Sequence, residues 1–228
     1  MILHRGLSFP LRSVDRHVDN IRRAGLLADA GIWRMIFPDL KPKLKQLWDQ
    51  QALQRSDVHT DERTPPWVCA CAQRMDALYY ACRHNRSREN DASVVVSFEA
   101  PAREVIIDGR DFLYPVFQFG APGLARPALA TIFGPAILPY ADRAWSSEYQ
   151  SSRILYCDLA VQDDEVIAAH AKNRIVLRGK ARTVFSSAFM ARAPILPENI
   201  RAVDVVKADD YVQPHVDLPF LSITTFAR

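Results

Sequence analysis

No apolar run in this chain approaches the roughly 18 residues a helix needs to cross a bilayer, and the opening MILHRGLSFP lacks a basic region leading into an apolar one. Both absences set the expectation of a soluble, cytoplasmic protein with no membrane partner. Cysteine is scarce: the four at 69, 71, 82 and 157 are too few to staple a chain of 228 residues, so free thiols in a reducing compartment are expected. Charge of one sign is also in short supply. A formal net charge of +3 and a pI near 8.7 neither demand nor exclude a polyanionic partner. No internal repeat shows, which sets a solenoid aside. With no Walker-type phosphate loop and no Gly-x-Gly-x-x-Gly stretch, a P-loop or Rossmann nucleotide site has no support.

What is present is enough apolar residue, 49% of the chain, to build a real core, and the expectation is a single domain over residues 1–228. MILHRGL reads as a buried strand ending at Gly6. SVDRHVDNIRRAGLL places Val14, Val18 and Ile21 at helical spacing, with Gly25 to close the helix. WVCACAQRMDALYYACRHN starts as a strand and becomes a helix, and SVVVSFEA and REVIIDG are strands by their β-branched content. Prolines at 115, 122, 127, 135 and 139 point to an ordered loop or lid over about 114–145. RILYCDLA reads as a strand, DDEVIAAHAKN as a helix with acids in its first turn, and RTVFSSAFMARAPI and IRAVDVV as the last strands. Strands dominate and helices are inserted early and late, so the expected fold class is α+β.

Four stretches, in order, resemble the ADP-ribosyltransferase superfamily: LHRGL, IRRAGL, CACAQRMDALYYA and APILPENIRAV. They cover about a third of the chain, and their order carries the likeness more than any one of them. The resemblance implies a split mixed or antiparallel β-sheet with flanking helices. It also implies NAD as co-substrate and mono-ADP-ribosyl transfer to a macromolecule. The superfamily includes bacterial toxins and the DNA-modifying toxins of toxin–antitoxin systems, so it further implies a toxin or defence effector with an antitoxin protein as partner.

The chemistry explains the residue types. Breaking the nicotinamide–ribose bond builds an oxocarbenium-like cation, which a nearby carboxylate stabilises. By the resemblance, Arg5 holds the NAD phosphates or ribose, with His4 as the alternative because neighbours on a strand point to opposite faces. Gly6 admits the nicotinamide amide, and Tyr80 or Tyr79 stacks on the ring. The position of the catalytic Glu falls on Ala188, and the acidic or amide residue two positions earlier falls on Ser186. Neither matches. Ala188 marks a natural pseudoenzyme, a chain inactivated by substitution, or an offset register. Losing such a carboxylate costs roughly 3 to 5 kcal/mol of transition-state stabilisation, so the expected form is an inactive one that binds NAD better than it turns it over.

Other constellations carry less. Glu198, after Pro197, reads as a turn or helix start, while Asp108 and Asp111 read as a turn around Gly109 or as substrate-side acids. Cys69, Cys71, Cys82 and His84 suggest zinc, but Cys82 and His84 lie about 200° apart on a helix, and no metal is expected. The basic and aromatic run from Arg22 and Arg23 through Trp33, Arg34, Phe37, Lys41, Lys43 and Lys45 to Trp48 is either an amphipathic face or a nucleic-acid acceptor surface. In the second reading Trp33, Arg34 and Lys43 bind the acceptor, with nucleic acid favoured over protein. An NAD glycohydrolase, and a catalytically dead module binding nucleic acid or protein through residues 22–48, are the alternatives.

Overall fold

The computed structural model describes residues 1–28, 46, 48–50, 67–207 and 220–226. The run holding Trp33, Arg34, Phe37, Lys41, Lys43 and Lys45 lies outside them. The fold is α+β, built from three small sheets and a helical block.

Strand β1 (Ile2–Pro10) pairs antiparallel along its whole length with β3 (Asp91–Glu99), and β3 pairs in turn with β8 (Ile200–Val206). Between β1 and β3 the chain forms α1 (Val14–Ala24), β2 (Trp67–Ala70) and α2 (Arg74–Tyr79), which continues as a π-turn over Tyr80–His84. In α1, Val14, Val18 and Ile21 are the buried residues, the stripe that their spacing anticipates. Its end is fixed by Gly25 at φ +76°, where a Cβ would lie 1.9 Å from the carbonyl oxygen of Ile195. Leu26 and Ile195 then exchange backbone hydrogen bonds at 2.9 Å each. Central β3 is buried from Asp91 to Phe98, which explains the continuous run of β-branched residues at 94–96.

After β4 (Val105–Ile107), the expected proline-bearing loop or lid is instead helical: α3 (Leu113–Phe119), α4 (Pro122–Phe133) and α5 (Leu138–Ser146). The correction has a simple cause. Pro115, Pro122 and Pro139 fall in the first turns of these helices, and Pro135 opens a 3₁₀ turn, positions where a missing N–H breaks no intrahelical bond. Only Pro127 sits inside a helix. The buried residues of α4, Ala125, Leu129, Ile132 and Phe133, keep helical spacing across it.

The expected strand RILYCDLA is also a helix, α6 (Gln150–Ala160). A short apolar run does not separate strand from buried helix, and here packing on α5 and α3 decides. Helix α7 (Asp164–Ala171) matches its expectation and is capped by Asp163, whose Oδ1 accepts the N–H of Glu165 and Val166. Strands β5 (Val176–Arg178), β6 (Val184–Phe185) and β9 (Phe220–Ser222) make one sheet, with β9 parallel to β5. Strand β7 (Phe189–Arg192) lies between β2 and β4, antiparallel to both. No helix among the described residues is long and apolar enough to cross a membrane.

Candidate functional site

A backbone bridge at His4 joins sheets β1-β3-β8 and β2-β7-β4. His4 gives its N–H to the carbonyl of Cys71 at 2.8 Å and takes the Cys71 N–H at 2.7 Å. Because both backbone groups of His4 are committed to Cys71, its pairing with Ser97 on β3 is of the close, non-hydrogen-bonded kind. His4 Nδ1 accordingly lies 2.8 Å from Ser97 Oγ. Burial, then the charge of Arg74, lowers the His4 pKa, with Asp204 opposing.

The β2–β7 register runs from Trp67 opposite Arg192 to Ala70 opposite Phe189, and one step further sets Cys71 opposite Ala188. The β4–β7 register ends at Ile107 opposite Phe189, and one step further sets Asp108 opposite Ala188. That second step is a real ladder bond, the Asp108 N–H donating to the Ala188 carbonyl at 2.9 Å. His4, Cys71, Ala188 and Asp108 thus form a transverse row across four strands, and all line one cleft of about 500 Å³.

The remaining walls come from three places. From β1 come Arg5, whose Nη1 donates to the Cys69 carbonyl at 2.7 Å, and Gly6, whose carbonyl accepts from Asn85 Nδ2 at 2.8 Å. From the π-turn that continues α2 come Tyr80 and His84, their rings edge to face at 5.3 Å. Burial, reinforced by nearby Cys71, Asp108 and Asp111, pushes the Tyr80 phenol well up. The third wall is the turn after β4. Arg110 grips Asp108 with Nε at 2.7 Å and Nη2 at 2.5 Å, and the same Nη2 reaches Cys69 Sγ at 3.1 Å. Burial opposes the guanidinium charge, but the two-point carboxylate contact outweighs it and the Arg110 pKa rises. Asp111 accepts the Ala181 N–H at 2.8 Å and the Thr183 hydroxyl, so the β5–β6 turn is held against the cleft edge.

Strand β7 is anchored just before it enters the cleft. Buried Asp76 accepts from the N–H and hydroxyl of Ser186 at 2.9 Å each, and from those of Ser187 at 3.0 and 3.3 Å. The Ala188 N–H does not return the ladder bond to β4 but donates to His170 Nε2 at 3.1 Å. His170 is buried against Phe133 and Phe189, and burial lowers its pKa to about 3.

Scans against protein-family models, curated proteins and solved structures found no match.

Of the residues singled out in the sequence, His4, Arg5, Gly6, Tyr80 and Ala188 line the cleft together, and so do Asp108 and Asp111, and Cys69, Cys71 and His84. Tyr79 and Ser186 are outside its lining. Tyr79 packs edge to face on Tyr80, and the Ser186 hydroxyl is bound to Asp76. The space Gly6 provides is filled by α2: a Cβ there would lie 2.1 Å from the Ala77 carbonyl oxygen and 2.6 Å from the Ala81 nitrogen. Glu198 is exposed, in a 3₁₀ turn over Pro197–Asn199. Trp33, Arg34 and Lys43 lie outside the described residues. Trp48 stacks on Tyr140 at 4.4 Å, with the Arg143 guanidinium over its ring at 4.4 Å, so it packs against α5. Arg22 and Arg23 are exposed, on the solvated face of α1 beside Asp19 and Asn20.

Sequence reasoning gave no site role to Arg110, Asn85 or His170. A signal for the first existed: Asp108-Gly109-Arg110-Asp111 follows a strand directly, and opposite charges two residues apart across a turn can close on each other. Nothing local marks His170, which reaches Ala188 only through packing. Among the described residues no group of three or more His, Cys, Asp or Glu side chains is arranged to hold a metal ion.

Proposed function

We propose that the cleft binds NAD and that the chain is an NAD-dependent mono-ADP-ribosyltransferase acting on a macromolecule. The observation that carries this reading is the shared cleft. Arg5 of β1, Tyr80 of the π-turn after α2 and residue 188 beside β7 come from segments far apart in sequence, and all line one space of a size that suits a dinucleotide. Arg5 puts a guanidinium group at the cavity, a charge that suits a phosphate, while the charge of Arg110 is taken up by Asp108. Tyr80 offers the flat apolar surface that a nicotinamide or adenine ring requires. The walls combine apolar side chains such as Ala70 and Phe185 with hydrogen-bonding ones such as His4, Asn85 and Thr183, as a ligand with rings, riboses and phosphates demands.

Nucleic acid is the acceptor this reading favours over protein, in keeping with a toxin or defence effector. The test of the reading is isothermal titration of NAD into the whole chain, followed by Arg5→Ala. One-site binding that weakens at least about tenfold in the variant, the scale of one lost charge-assisted contact, supports it. No heat and no protection from thermal unfolding at millimolar NAD removes it.

A further inference from the structure

A cavity that is to stabilise a cationic ribose has to contain a carboxylate, and residue 188 has only a methyl group. The neighbouring strand contains one. Asp108 continues β4 by one residue, its N–H bonded to the Ala188 carbonyl at 2.9 Å, so the two residues are direct cross-strand partners. Such partners project to the same face, with Cβ atoms about 5 Å apart. Both side chains line the cleft, and that of Asp108 retains 15% of its exposure. We infer that Asp108 supplies, from the adjacent strand, the catalytic carboxylate that residue 188 lacks, with Arg110 as the residue that positions it.

The inference rests on the NAD reading above and gives that site its reacting group. Arg110 holds Asp108 at both carboxylate oxygens and is itself tied to Cys69 Sγ, so the carboxylate sits in one orientation before any substrate arrives. A charge fixed in place in a partly dry cleft costs no reorganisation as the transition state forms. The step balances without further reagents. The bond between the ribose C1′ and the nicotinamide nitrogen breaks, and its electron pair leaves with neutral nicotinamide. Asp108 faces the cation at C1′, and a lone pair on an acceptor oxygen or nitrogen, or on water, closes on C1′. The acceptor's proton passes to solvent. Alanine at 188 follows from the same geometry. A carboxylate there would stand beside that of Asp108, two like charges on one face.

The experiment measures nicotinamide release and NAD binding on the whole chain for the wild type, Asp108→Asn and Ala188→Glu. The expected result is wild-type release that falls at least about 100-fold in Asp108→Asn, with the dissociation constant for NAD changed by less than about threefold. In Ala188→Glu release falls rather than rises. Asp108→Glu keeps the ion pair but advances the carboxylate by one methylene. It covers the case in which Asp108→Asn does not fold, and is expected to lose about tenfold in release. Undiminished release in a folded Asp108 variant, a gain in Ala188→Glu, or wild-type binding without release overturns the inference and leaves the NAD reading standing. Absence of wild-type binding overturns both.

Discussion

Asp76 and Ser186 are joined twice, the serine N–H reaching one carboxylate oxygen and its hydroxyl the other, both at 2.9 Å. With the matching bonds from Ser187, this fixes α2 to the stretch that delivers Ala188 to the cleft. It also gives Ser186 a structural duty in place of a ligand contact.

Asp76→Ala is therefore expected to cost at least about 3 kcal/mol, since hydrogen bonds to a charged group contribute about 1.5 to 3 kcal/mol each and buried donors would be left without acceptors. Asp76→Asn keeps one good acceptor and should cost less. Urea unfolding of both variants checks this. A loss below about 1 kcal/mol in Asp76→Ala would contradict the assigned role.

The Ala188 N–H needs an unprotonated Nε2 on His170, and burial lowers the His170 pKa to about 3. An unfolded histidine titrates near 6.5. Between those values the unfolded chain binds a proton that the native one refuses. This contribution is fully present above about pH 6.5 and is lost on acidification, by up to about 1.4 kcal/mol per pH unit. His170→Gln retains an acceptor without the titration. Urea midpoints from pH 7.5 to 4.5 should show the variant less stable at the upper end and with a shallower acid slope. Parallel slopes would contradict the assignment.

Gly6 lies under the backbone of α2, not under open space. Gly6→Ala would drive a Cβ to within 2.1 Å of the Ala77 carbonyl oxygen, and backbone cannot yield as a flexible side chain can. The expected loss is more than about 2 kcal/mol, seen as a lower thermal midpoint with or without NAD. An unchanged midpoint would mean that α2 does not pack on β1 in this way.

The elements legible in the sequence were those whose signal is local. The β-branched run at 94–96 announces the central strand, and Val14, Val18 and Ile21 announce α1. The site was legible in pieces: Arg5, Gly6 and Tyr80 stand out from their motifs and Asp108 from its place after a strand, yet Asp108 meets Ala188 only through a β4–β7 register that no short window contains. The helices over 113–146 were hidden by their prolines, because a first-turn proline and a loop proline look alike until the buried stripe of Ala125, Leu129, Ile132 and Phe133 is read across Pro127. The helical state of 150–160 depended on packing against α5, information that a run such as Ile154-Leu155-Tyr156 does not carry.

Cys69 and Cys71 sit two apart around the end of β2 and both reach the cleft, but they differ in access. Cys69 is half-buried beside Arg110, whereas Cys71 is 4% exposed, sealed by its backbone bridge to His4, and burial pushes its thiol well up. Cys82 and Cys157 are 1% and 0% exposed. A thiolate reacts only where reagent can reach it and where a cation can stabilise its charge, and among the four only Cys69 meets both conditions. Ellman's reagent on the native chain is expected to titrate one thiol quickly and the other three only on unfolding, and Cys69→Ser is expected to abolish the fast phase. If NAD fills the cleft, saturating NAD should slow that phase. A fast phase of two thiols, or one that survives Cys69→Ser, would mean that the wall formed by Cys69, Arg110 and Asp108 is not closed as described.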